Sequence, residues 1–144
     1  MDRQPQFRQR YLELLEVLGG ETPDDAFVQA ALGRKSLQDP LPEAASRARE
    51  QLSRAIDLGF RAYTVYADLS AALERLGRLD ESARALADGV ALYPYTPVLY
   101  KMLAMRYISL KQYPRARETM QRYVELFPED AFMRGLLEKA NKQN

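Results

Sequence analysis

The sequence reads VALYPYTP at 90–97 and VELFPEDA at 124–131. Both stretches run a branched residue, a leucine and an aromatic into a proline, and Pro94 and Pro128 stand 34 residues apart. Proline lacks an amide hydrogen and its ring clashes with the preceding turn, so each stretch marks a helix end. A helix end that returns at this interval points to stacked two-helix units. A helical hairpin has an apolar face that it cannot bury alone. A second copy covers that face and presents an identical one, so the pattern recurs.

Outward from these stretches, Gly and Pro are sparse and divide the chain into segments of helical period. Alternating Val, Ile and Thr runs and Asn-Gly turns, the marks of strands, are missing. The spacing predicts a first helix over 6–18, with Phe7, Tyr11, Leu14, Leu15 and Leu18 as one apolar stripe and Gly19-Gly20 as its stop. Thr22 is the expected cap of a second helix, with Pro23 at its first position. The run QDPLPEA breaks the chain before a third helix over 42–58, which buries Ala48, Leu52, Ala55 and Ile56. Further helices are predicted over 61–76, burying Tyr66, Leu69, Leu73 and Leu76, and over 80–93, capped by Asp80. Thr96 and Pro97 open the next, and another spans 114–127. A last helix, 129–141, shows Phe132, Leu136, Leu137 and Ala140. Short links make neighbouring helices antiparallel.

Composition narrows the function. A chain that is 47% hydrophobic and 28% charged folds around its own core. A net charge of +1, with Asp and Glu interleaved among the arginines, gives no pull toward nucleic acid or anionic lipid. Without Cys or His, thiolate, imidazole and most transition-metal chemistry is excluded. Acidic pairs such as Asp24-Asp25 and Asp80-Glu81 sit at helix starts, where the helix dipole explains them. The sequence therefore reads as a non-enzyme without a cofactor. No apolar run approaches the ~20 residues of a membrane span. A cytoplasmic location is expected unless a leader or neighbouring domains have been removed, and the excess of Arg over Lys suggests a GC-rich bacterial genome.

At 34-residue spacing the chain resembles the tetratricopeptide repeat family. One copy, 63–96, supplies Tyr66, Leu69-Ser70, Leu73, Ser82, Leu86, Gly89 and Pro94. The next, 97–130, supplies Tyr100, Leu103-Ala104, Tyr107, Ala116, Met120 and Pro128. Small residues at 70, 82, 104 and 116 let helices cross closely. A degenerate copy, 23–60, carries Leu32-Gly33 and Ala48, Leu52 and Ala55, with three extra residues in its turn and Phe60 where proline is expected. The fold implied is an all-α, right-handed solenoid of antiparallel hairpins: about three repeats, an N-terminal helix at 6–18 and a capping helix at 131–141. Tyr123 replaces the family's Ala. Either a short capping helix leaves room for the ring, or the ring marks an interface.

The resemblance implies a concave surface, lined by the first helix of each hairpin, that holds a peptide or partner helix. The side chains not needed for packing are Thr64, Ala67, Asp68, Ala71, Glu74 and Arg75 in one repeat. In the next they are Val98, Lys101, Met102, Met105, Ile108 and Ser109, with Arg34 contributing from the degenerate copy. Met105 and Ile108 suit apolar groups, and Lys101 and Arg75 suit a carboxylate. Some members clamp chaperone C-terminal carboxylates with paired Lys and Asn; Ala67, Ala71 and Met105 depart from that pattern. The aromatics Tyr93, Tyr95, Phe127 and Phe132 are expected to staple repeat to repeat, Tyr95 being the one with another contact to make. The rival reading is a structural module that self-associates, as a homo-oligomer or within a longer chain, through the amphipathic helix at 6–18. That helix serves otherwise as a simple cap.

Overall fold

A computed structural model of the chain describes residues 4–143. Among them are eight helices: α1 (Gln4–Glu21), α2 (Ala26–Gln38), α3 (Pro42–Asp57), α4 (Tyr63–Arg75), α5 (Leu79–Leu92), α6 (Pro97–Ser109), α7 (Tyr113–Leu126) and α8 (Ala131–Lys142). Each packs on its successor, and α4 also touches α2 and α6. The core follows the stack. Leu52, Val65, Leu86 and Leu99 are fully buried between successive helices. Each such side chain stabilises the fold by about 1.5–3 kcal/mol.

Small residues set the crossings. A Cβ on Gly33 would lie 2.5 Å from Leu52 Cγ, so α2 and α3 meet there without one. Ser70 and Ser82 are buried, and the Ser82 hydroxyl donates to the Ser70 carbonyl at 2.9 Å, tying α5 to α4. Helices α3, α4 and α6 end in one motif, with a residue at positive φ just past the cap: Gly59 (92°), Gly77 (71°) and Lys111 (58°). There the Arg78 amide reaches back to Leu73 O and the Gln112 amide to Tyr107 O.

Several local expectations change. Gly19 and Gly20 do not stop α1; both lie inside it. Gly19 is instead the point of closest approach to α2, where a Cβ would lie 2.6 Å from Leu32 Cδ1. Thr22 does not cap α2, because its hydroxyl donates back to Leu18 O. Asp25 is the cap, accepting the Val28 amide at 3.0 Å. Asp80 lies in the first turn of α5, and Arg78 holds the cap position. In α8 the buried side chains are Met133 and Leu137, not Phe132 and Leu136. The three extra residues of the first turn are held by Arg75, whose guanidinium donates to the carbonyls of Leu37, Asp39 and Leu41. Phe60, in place of proline, packs edge-on to Phe27 with ring centroids 6.2 Å apart.

Candidate functional site

The first helices of the hairpins, α2, α4 and α6, place the candidate residues along adjacent columns. The structure ties up many of the charges. Arg34 Nε donates to Asp68 Oδ2 at 2.9 Å, bridging α2 and α4. Arg75 is engaged by its three carbonyls and is not presented to a carboxylate. Lys101 Nζ lies 3.2 Å from Asp130 Oδ2 and 5.4 Å from the centroid of the Tyr123 ring. The Tyr123 phenol first, and the Asp130 carboxylate next, raise its pKa above the ordinary lysine value.

Sequence reasoning missed Arg106. It is buried in α6, and both Nη atoms reach the Glu74 carboxylate of α4, at 2.6 and 2.7 Å. Its Nε has no hydrogen-bond partner among the described residues. Such a fork is charge-assisted and directional. It also lowers the Glu74 pKa, against the opposing effect of partial burial. A signal existed: Leu99, Leu103, Arg106 and Leu110 follow inward spacing, so a cation stood where an apolar residue belonged.

What remains open on these columns is apolar and belongs mostly to α6. Met105 is 63% exposed; Val98 and Ile108 are exposed too, Ser109 lies beside them, and Met102 is half-buried against the core. Thr64 and Ala71 are half-buried on α4. One repeat further on, the position of Val98 is held by Phe132, 72% exposed, and that of Met102 by Leu136. The apolar strip therefore continues in register onto α8.

Two depressions flank α4. One, of about 200 Å³, lies between α1, α2 and α4 and includes Tyr11, Phe27, Arg34, Thr64 and Asp68. The other, of about 710 Å³, lies on the opposite face of α4, between α3 and α5, with Tyr66, Leu69 and Leu73 as its floor. The place equivalent to Leu73 one repeat later is held by Tyr107, whose ring has the Arg115 guanidinium 5.9 Å from its centroid.

The core between α6, α7 and α8 is filled by Tyr123. The ring is buried against Tyr100, Phe127 and α8, so it is core and not an interface. Its hydroxyl donates to Asp130 Oδ2 at 2.6 Å. That bond first, and the Met133 amide next, lower the Asp130 pKa to about 2. Tyr93 packs on Tyr66 and Phe127 on Tyr100, as staples do, whereas Tyr95 is 77% exposed. No group of carboxylates able to hold a metal occurs among the described residues, and no helix there is long and apolar enough to cross a membrane.

No protein-family model matches the chain, and no curated protein sequence matches it. Solved structures do. MamA superposes with a TM-score of 0.76 at 19% identity, over 99% of this chain and 90% of that one. YrrB, a TPR protein with an unusual peptide-binding site, gives 0.73 at 15% identity, over 90% of this chain and 66% of that one. TTC0263, a thermophilic TPR protein of Thermus thermophilus, gives 0.68 at 22% identity, over 90% and 70%. At such identities the likeness is one of fold. The chain is an all-α solenoid, and its fold is that of the tetratricopeptide repeat proteins.

Proposed function

We propose that the chain is a non-catalytic docking module that holds an apolar-faced peptide or partner helix against α6 and α8. The observation that carries this reading is the exposed strip of Val98, Met105, Ile108, Phe132 and Leu136 on helices whose other faces are locked in the core. A rigid receptor loses little conformational freedom on binding, so a modest apolar strip suffices. The ion pairs Arg34–Asp68 and Arg106–Glu74 hold the helices in register beside it. The fold neighbours agree with a protein-binding role, YrrB being a TPR protein with a peptide-binding site. Cytoplasmic residence and a bacterial source belong to the same proposal.

The test compares proteins captured from a lysate by the wild type and by the double variant Met105→Glu, Ile108→Glu, with circular dichroism confirming an intact fold. Both positions are exposed, so folding is expected to survive. Lys101 is left alone because its loss would break the contact with Asp130. Selective loss of captured proteins in the variant supports the reading, and identical capture by both forms refutes it. The self-association alternative is favoured by a separate observation, the exposed apolar face of α1.

A further inference from the structure

Phe7, Tyr11, Leu14 and Leu18 of α1 are all exposed, Phe7 at 71%. Their steps of four, three and four residues place them on one helix face. That face is not the one α1 turns to the array, where Leu15 is buried, Gly19 meets Leu32, and Lys35 reaches Leu12 O and Glu16. Phe27, also exposed, shares a depression with Tyr11 and widens the apolar surface.

We infer that this stripe pairs with the same stripe of a second copy of the chain, antiparallel, about a twofold axis beside Leu12 and Glu13. The spacing is that of a short coiled-coil seam, which a facing helix of identical spacing matches. The charge on α1 is polarised: Arg8 and Arg10 lie in its first half, Glu13, Glu16 and Glu21 in its second. An antiparallel copy sets each basic half beside an acidic half, whereas a parallel copy sets like against like. Arg8 is taken by Gln38 and Glu16 by Lys35 within the chain, but Arg10 and Glu13 form no ion pair among the described residues. With Phe7 opposite Leu18 and Tyr11 opposite Leu14 of the second copy, Arg10 comes beside Glu13 across the seam, twice by symmetry. A lipid surface fits less well, because membrane-surface helices carry a mainly basic polar face and this one mixes signs. The proposal is independent of the concave-strip reading and leaves that strip free.

Sedimentation equilibrium of the intact chain over about 1–100 µM tests it. A small apolar seam predicts a dimer with a dissociation constant on the order of micromolar. Leu14→Glu, at an exposed position, is expected to leave a folded monomer throughout. Arg10→Glu and Glu13→Arg each weaken the dimer by about tenfold, since each change acts twice, and the double reversal restores it. A wild type that stays monomeric overturns the proposal, whether or not it cosediments with vesicles of phosphatidylserine and phosphatidylcholine. So does a dimer indifferent to Leu14→Glu, or a double reversal no stronger than either single change.

Discussion

Gly89 and Tyr123 hold the same position in consecutive hairpins, yet one is the smallest residue and the other a buried ring. The backbones around them agree closely. The caps of α5 and α7 have φ/ψ of −128°/65° at Tyr93 and −128°/66° at Phe127. The difference lies in how closely the flanking helices approach. On α5, a Cβ at Gly89 would lie 2.9 Å from Tyr66 Cβ of its own hairpin and 3.2 Å from Leu99 of the next, so the position is closed on both sides. On α7 the ring of Tyr123 fills the space between Tyr100 of its own hairpin and Met133 of α8. Hairpins of the same backbone shape thus tolerate opposite residues according to the space their neighbouring helices leave.

The largest test makes the first hairpin resemble the second. Gly89→Tyr forces a ring into a closed crossing, and denaturant unfolding should show a loss of about 4 kcal/mol or outright failure to fold. Stability within about 0.5 kcal/mol of wild type would show that the crossing is not tight.

Next is Glu74, whose counterpart one repeat later is the exposed Ile108. Glu74→Ala strands the buried Arg106 guanidinium, while Ile108→Ala removes only a surface side chain. The first should cost about 1–2 kcal/mol, discounted because the Glu74 side chain is 53% exposed, and the second under about 0.5. Equal costs would remove the ion pair from the account.

The third concerns Asp130, which caps α8 where Thr96 caps α6 without a side-chain bond. Its carboxyl titrates at about 2 instead of 3.8, so ionised Asp130 favours the folded state above the ordinary value, and the contribution fades as pH falls through the folded one. The melting-temperature gap between wild type and Asp130→Asn should therefore be constant near neutrality and close between about pH 4 and pH 2. A gap that does not change with pH would contradict the Tyr123–Asp130 bond.

The smallest effect is at Lys111, which occupies at φ 58° the position that Gly77 occupies at 71°. Lys111→Gly relieves a left-handed conformation and should raise stability by about 0.5–1 kcal/mol, read by the same denaturant titration.

Periodicity made the middle of the molecule legible. The interval from Tyr66 to Tyr100, and from Ser82 to Ala116, states which residues must interlock, because a stacked hairpin needs the same small and large groups at each crossing. The all-α class and the array of hairpins followed from that alone. The first helix and the polar pairs were decided only in three dimensions. Helix α1 lies outside the 34-residue register, so spacing could not say that it turns Leu15 and Gly19 inward and leaves Tyr11 out, whereas α8 keeps the register and buries Met133 where α6 buries Leu99. Long side chains reach across helices: Arg75 closes a turn in the preceding repeat and Arg106 claims Glu74. Sequence spacing orders residues along one helix face. The distance between two helices, which only packing sets, determines which of their charges meet.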